Sequence, residues 1–445
     1  MTANSPATPS RSKPSDFPWY LSGQGVFALN MGIGMVFMPW LVAFHLETPA
    51  EQMGIYQASV MLPMLVLMLF GGAKADKVDL RAWLLRLHLI QAMPAFLLCY
   101  VLYSEALSYG LLMVYSIGMS SINGFITPAR DSMLTHVSSG RAGGMQRAVG
   151  TAMAVQTGAQ VIGLLIAGFA SEADKNNLLY IFPLMMGINY FGCLFAVRWI
   201  SPAPPEQHGM VTLDCRELDG GMFGRLRSQL SEIKEGIGEV WHSKRIRPVV
   251  MLNMFTGLLF MGAVMVLMPL IVRDVYQGNS AEIATMNLAL FGGIGISSAI
   301  VARVHIHRQG RTLMLGTLVG GMALVFMHYH PPLWAFYVAV FCWGLAGGVG
   351  SSMSRTIVQA AAPKSHLARI LSVFAMATMV GGPIGSLAIG FLIEDLGILN
   401  AVLLPPSALV VVWLGLFFLT NLWKIETDAP IAAAEYSDAT PQQPT

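Results

Sequence analysis

Apolar stretches of about twenty residues or more, separated by short polar or charged segments, recur along the whole chain. A helix needs about 20 mainly apolar residues to cross the hydrocarbon of a bilayer, so each stretch predicts one spanning helix. Twelve are predicted, in two groups of six. The first group reads Trp19–Phe44, Met53–Ala73, Trp83–Tyr103, Leu107–Ala129, Ala148–Ala170 and Asn177–Val197. The second reads Val249–Val272, Ile283–Ala302, Thr312–Tyr329, Pro332–Ser354, Ile370–Ile393 and Ile398–Trp423. Between the groups lies a polar stretch that opens Ser-Pro-Ala-Pro-Pro and reads as a linker. Within it Phe223, Leu226, Leu230, Ile233, Ile237 and Trp241 recur at steps of three or four, which predicts an amphipathic helix on the bilayer surface or against the bundle. The expected organisation is a disordered N-terminus (1–16), a six-helix bundle (17–200), a linker (201–248), a second six-helix bundle (249–424) and a disordered tail (425–445).

Composition narrows this further. Only 11% of the 445 residues are charged, against roughly 25% in a soluble domain, and 55% are hydrophobic. That excludes an ordinary soluble enzyme and makes the lipid bilayer the first partner. A net charge of +2 argues against nucleic acid, whose phosphates call for concentrated basic patches. If both termini are cytoplasmic, 24 of the 26 Lys and Arg residues fall on the cytoplasmic side, leaving Lys175 and Arg273 outside. Lys and Arg resist translocation, so this split predicts the orientation and an even number of spans. Cys99, Cys193, Cys215 and Cys342 show no paired spacing, so neither disulfides nor zinc is expected. His305 with His307 and His328 with His330 lack a third ligand, and no metal or cofactor is expected. Nor does an enzyme emerge: no nucleophile stands with a base, and Gly347-Gly348-Val349-Gly350-Ser351-Ser352 lacks the lysine of a phosphate loop.

The two groups share a pattern. Ile162-Gly163-Leu164-Leu165-Ile166-Ala167-Gly168-Phe169 in the fifth span matches Ile384-Gly385-Ser386-Leu387-Ala388-Ile389-Gly390-Phe391 in the eleventh at Ile, Gly, Leu, Gly and Phe. Arg130 closes the fourth span and Arg355 the tenth, 33 and 30 residues before the first shared glycine. Duplicated six-helix halves place a substrate site between them and permit rocking about it. The predicted fold class is all-α integral membrane, with twelve transmembrane helices in two pseudo-symmetric six-helix bundles.

At this point the residues resemble a known family. Gly72-Ala73-Lys74-Ala75-Asp76-Lys77-Val78-Asp79-Leu80-Arg81 is similar to the signature Gly-x-x-x-Asp-(Arg/Lys)-x-x-x-(Arg/Lys), which the major facilitator superfamily carries between helices two and three. Asp79 replaces its usual second glycine. Pro128-Ala129-Arg130-Asp131 and Leu367-Ala368-Arg369-Ile370-Leu371-Ser372 resemble segments of the branch holding the enterobactin exporter and drug-efflux-like proteins. In that family the acidic residue of the loop pairs with a basic residue ending helix four and meets the start of helix eleven. The resemblance therefore implies a cytoplasmic latch drawn from Gly72, Asp76, Lys77, Arg81, Arg130, Asp131, Arg355 and Arg369. Lys74, Lys77 and Arg81 also read as plain topology anchors.

Polar residues inside spans are costly unless they face protein or water. Gln24, Asn30, Gln57, Asn123, Gln156, Gln160, Asn253 and Asn287 are accordingly candidates for a substrate cavity, although each alone could bond a neighbouring helix. Gly163, Gly168, Gly382, Pro383, Gly385 and Gly390 are candidates for close helix packing. No Asp or Glu sits deep in a span, so protons as a coupling partner rest on the resemblance alone. With neither a cation nor a carboxylate visible in mid-span, the cargo reads as neutral to weakly polar. The expected function is a monomeric secondary transporter of the inner membrane, both termini cytoplasmic, exporting a small amphipathic molecule, drug-like or siderophore-like, by rocker-switch alternating access. The alternatives are an uncoupled facilitator or uptake carrier, and a non-transporting receptor or scaffold of the same fold.

Overall fold

The computed structural model describes residues 13–75, 77–138, 144–173, 178–203, 234–235, 237–304, 306–363 and 367–426. Among them the secondary structure is helical, without strands. In chain order the helices are α1 (Asp16–Trp40), α2 (Ala50–Ala75), α3 (Leu80–Tyr103), α4 (Tyr109–Ser138), α5 (Gly144–Ala173) and α6 (Leu178–Arg198). Then follow α7 (Ile246–Gly262), α8 (Ser280–Arg303), α9 (Gln309–His328), α10 (Leu333–Ala361), α11 (Leu367–Leu396) and α12 (Leu404–Leu419). Eleven helical stretches among the described residues are long and apolar enough to cross a membrane. The 26-residue α2 holds the remaining place in the order. Of the linker helix expected around Phe223 to Trp241, residues 237–242 are helical, with Ile237 and Trp241 exposed. The part before Lys234 lies outside the described residues.

Two compact units form. One consists of Met1–Ser228, Gly262–Leu288 and Gly382–Ile398; the other of Gln229–Met261, Ala289–Gly381 and Leu399–Thr445. Small residues decide how closely the helices of the first unit approach. Gly32 of α1 and Gly163 of α5 face each other so tightly that a Cβ on either would strike the other helix's backbone, at the Gln160 and Leu29 carbonyls. Gly71 of α2 meets Gly124 of α4 in the same way. Such contacts replace the hydrophobic drive that lipid cannot supply between apolar helices.

In the second unit Gly344 and Gly348 of α10 lie against the Leu290 and Ile294 carbonyls of α8, and Gly381 of α11 against Leu258 of α7. The Trp413 indole of α12 donates to the Met314 carbonyl of α9 at 3.0 Å.

The duplication seen in the sequence extends to local backbone geometry. Pro39 near the end of α1 and Pro269 near the end of the seventh span each precede a π-helical turn, Leu41–His45 and Ile271–Val275. Proline withholds the N–H that would close an α-helical bond. The chain then shifts to bonds over five residues, from the Leu46 N–H to the Leu41 carbonyl at 3.0 Å and from the Tyr276 N–H to the Ile271 carbonyl at 3.2 Å. Two residues after each turn the backbone enters the left-handed region, at Glu47 (φ 47°) and Gln277 (φ 50°), before α2 and α8 begin. Farther on, the Leu80 N–H bonds the Ala203 carbonyl at 3.0 Å at the start of α3, and the Gly310 N–H bonds the Ile425 carbonyl at 3.1 Å at the start of α9.

Candidate functional site

The sequence closes the fourth span at Ala129, but α4 continues to Ser138. Arg130 is therefore not a terminal residue: eight residues, about 12 Å of helix at 1.5 Å per residue, follow it. Its guanidinium lies 3.9 Å over the Phe27 ring of α1 and donates to Gln24 Oε1, also on α1. That oxygen has the Tyr20 hydroxyl 3.5 Å away as a second donor. The Gln24 amide in turn donates to Gln156 Oε1 of α5 at 2.9 Å. Gln24 is 8% exposed whereas Gln156 is exposed, so the relay runs from a semi-buried cation to an open amide.

On the other side of Phe27 stands His88 of α3, its ring 6.2 Å away and its side chain 2% exposed. One turn on, the Gln91 amide donates to Asn123 Oδ1 of α4 at 2.8 Å. Among the described residues the geometry gives the buried His88 Nδ1 and Gln91 Oε1 no hydrogen-bond partner. Four helices thus bring Arg130, Gln24, Gln156, Asn123, His88 and Gln91 into one polar cluster on an apolar frame. His88 and Gln91 were not among the sequence-derived candidates. Leu80 begins α3 two turns before His88, and both His88 and Gln91 are buried.

The remaining cavity candidates spend their polar groups on neighbouring backbone or side chains. Asn30 donates to the Met186 carbonyl at 3.1 Å and accepts from Asn189 at 3.0 Å, tying α1 to α6. Gln160 reaches the Met35 sulfur at 3.0 Å. Asn253 bonds Thr378 between α7 and α11, and Asn287 bonds the Ile283 carbonyl of its own helix at 2.9 Å. Gln57 is buried on α2.

Of the latch candidates, Asp76 and the Arg369 side chain lie outside the described residues. Arg81 donates to the Arg198 carbonyl at 2.6 Å, at the C-terminus of α6, where a cation also meets the negative end of the helix dipole. Lys77, Asp131 and Arg355 are exposed, and a Cβ on Gly72 would lie 4.0 Å from Pro128 Cβ of α4. Asp79, the departure from the family signature, caps α3: its Oδ1 accepts the Ala82 N–H at 2.7 Å. Asp16, unremarked in the sequence, is fully buried and accepts from both the Ser201 N–H and hydroxyl at 3.2 Å, holding the start of α1 to the exit of α6.

The packing candidates meet other helices. A Cβ on Gly390 of α11 would lie 2.8 Å from the Ala50 carbonyl oxygen and 2.9 Å from Gly54 Cα of α2. One on Gly168 of α5 would lie 2.8 Å from the Ala284 methyl of α8. Gly385 meets Gly262, and Gly382 and Pro383 are buried beside them on α11. These contacts repeat with the duplication, because Gly54 and Ala284 are 230 residues apart, as are Glu47 and Gln277. Nearby, Arg273 donates from Nη1 to the Ala43 and Thr48 carbonyls, each at 2.8 Å, and pairs with Asp274 at 2.8 Å through Nη2.

A duplicated all-α membrane protein with polar clusters inside its spans is the architecture of a small-molecule carrier. The Major Facilitator Superfamily model matches residues 20–386, and the chain belongs to that family. It is 24% identical over 377 residues to the multidrug efflux pump Tap of Mycobacterium tuberculosis, covering 83% of this chain and 85% of that one. It is 25% identical over 306 residues to the lysophospholipid transporter LplT of Photorhabdus laumondii, covering 66% and 68%. Solved structures of the same fold include the nucleoside transporter NupG, with a TM-score of 0.65, 12% identity and coverage of 92% of this chain and 99% of that one. A POT family transporter in complex with a thioalcohol-conjugated peptide gives 0.67, 13%, 91% and 95%. The protein is a multi-pass membrane transporter of small molecules rather than an enzyme.

Proposed function

We propose that this transporter exports small amphipathic molecules across a bacterial inner membrane by alternating access between two six-helix bundles, residues 17–200 and 249–424, joined by the linker 201–248. The observation that carries this reading is the set of duplicated crossings, Gly54 with Gly390 and Gly168 with Ala284, joined by Arg273 across the turn after α1. Small residues let facing helix backbones come into direct contact, which suits an end of the molecule that must close and open. The latch drawn from Gly72, Asp76, Lys77, Arg81, Arg130, Asp131, Arg355 and Arg369 belongs to the opposite, cytoplasmic end in this reading, with both termini on that side. The efflux relatives favour export, and protons are the proposed coupling ion; the carrier works as a monomer.

Cells loaded with a neutral fluorescent amphipathic dye such as Nile red test the proposal. Inducing the protein should speed dye loss, and collapsing the pH gradient with an ionophore should abolish the gain. Dye loss that is the same with and without the protein would sink export. Loss that is accelerated but indifferent to the ionophore would replace antiport by uncoupled facilitation.

A further inference from the structure

We infer that the end of the linker, just before α7, is a lipid-binding foot that lies on the cytoplasmic leaflet and prefers anionic phospholipid; its cytoplasmic placement rests on the reading above. Residues 237–242 are helical, and the Ser243 hydroxyl caps the next helix by accepting the Ile246 N–H at 3.2 Å. Three residues separate this short helix from α7, a gap of at most about 10 Å. The apolar span opens at Ile246 itself, so the short helix is held at the level of the head groups.

Its faces differ. Ile237 and Trp241 stand one turn apart on one face and are 48% and 60% exposed. Val240, 5% exposed, is the side chain turned onto the protein. Glu239 stands two positions from both Ile237 and Trp241, about 160° round the helix, so its carboxylate points away from the apolar pair. The sequence pattern fits the bilayer surface and the bundle equally well; the exposure of Ile237 and Trp241 favours the bilayer. Tryptophan, with an apolar ring and a polar N–H, is the side chain that settles at this depth.

Charge names the lipid. Lys234, Lys244, Arg245 and Arg247 flank the pair, and the Arg247 guanidinium lies 5.9 Å from the Trp241 ring centre. Lys234 and Lys244 are exposed. An anionic leaflet draws such side chains, each for roughly a fivefold gain in occupancy that salt screens. A neutral leaflet accepts the isoleucine and tryptophan but leaves the cations without a counter-charge. A soluble partner would have to displace lipid that already stands at that level.

The test places an environment-sensitive fluorophore on a single cysteine, Ile237→Cys, in a full-length chain lacking its native cysteines. Quenching by acrylamide is compared in nanodiscs of phosphatidylcholine alone and of phosphatidylcholine mixed with phosphatidylglycerol. The fluorophore should be several-fold less quenched where phosphatidylglycerol is present, and high salt should reverse part of that protection. On His242→Cys, an exposed position about 140° round the helix from residue 237, it should stay open to acrylamide in both lipids. Lys244→Gln with Arg245→Gln should remove most of the phosphatidylglycerol effect, whereas Trp241→Ala should raise quenching in both lipids. Free glycerol phosphate, added to discs of phosphatidylcholine alone, should protect nothing. Equal quenching at residue 237 in the two lipids would overturn the inference, because charge is then not read. The same protection in detergent would also overturn it, because the preceding linker residues then cover the face. So would protection by free glycerol phosphate, or a phosphatidylglycerol effect as large at residue 242 as at 237. The lipid effect with dye loss unchanged by the protein would defeat export and leave this contact standing. Accelerated dye loss without the lipid effect would do the reverse.

Discussion

Gly158 and Gly163 lie five residues apart on α5, yet replacing each by alanine should move stability in opposite directions. Nothing stands within 4 Å of a Cβ on Gly158, so Gly158→Ala gains the helix propensity that glycine lacks, about 0.5–1 kcal/mol. The Cβ of Gly163→Ala meets the Leu29 carbonyl of α1, and backbone cannot step aside as a flexible side chain does. Overpacking of this kind costs about 1–3 kcal/mol. Thermal unfolding in detergent should show a small rise in Tm for the first and a clear fall for the second; equal effects would mean that α1 and α5 are not in backbone contact. The sequence pattern singled out Gly163 from its repetition at Gly385, because a matched glycine in two halves marks a matched crossing. It could not rank Gly158 beneath it, since both fit the same spacing. Arg130 lies farther from the end of its helix than the sequence placed it, for a different reason: hydropathy reports where apolar residues stop, not where a helix stops. The turns after Ala129 are polar on the face that hydropathy averages away, and α4 runs through them to Ser138.

Among the elements, the twelve spans were legible because a bilayer leaves the backbone no alternative to closing its own hydrogen bonds over about 20 residues. Their ends were not. The π turns after Pro39 and Pro269, and the left-handed residues that follow, depend on local backbone bonding that hydropathy does not encode, although the prolines that provoke them are plain in the sequence. Glu47 gives a direct test. At φ 47° a side chain crowds the backbone by roughly 1–2 kcal/mol, which glycine escapes at some entropic cost. Glu47→Gly should leave Tm equal or slightly raised, whereas the β-branched Glu47→Val should lower it by several degrees. A valine variant as stable as the wild type would mean that the α1–α2 turn adopts another conformation. The cavity candidates show the same division. Their presence on six helices was visible in one dimension, but only packing separates Gln24 and Gln156, which share the Arg130 relay, from Asn30, whose bonds fasten α1 to α6.

For the whole molecule, the contact that most directly links structure to transport is Arg273. It is one of two basic residues on the side of the chain that the charge bias leaves nearly bare, a position that topology alone would not favour. Its repeat-related position, 230 residues earlier, is Ala43, and the guanidinium bonds the carbonyl of that very residue and that of Thr48, each at 2.8 Å. A duplicated frame has thereby acquired a single asymmetric clasp beside the glycine crossings of α2 with α11. Hydrogen bonds to a charged group are worth about 1.5–3 kcal/mol each, and a net loss of about 1.4 kcal/mol shifts a two-state equilibrium tenfold. Thr48 is buried here, so a cysteine introduced at that position in a chain lacking its native cysteines should react slowly with a membrane-impermeant maleimide. Adding Arg273→Ala should speed that reaction at least tenfold, and Arg273→Lys, which keeps the charge and loses the fork, should fall between. Transport should slow in step, because a carrier biased toward one form spends less time in the other. If labelling and transport both stay at the wild-type rate, Arg273 is a surface contact and the closing energy resides in the glycine crossings instead.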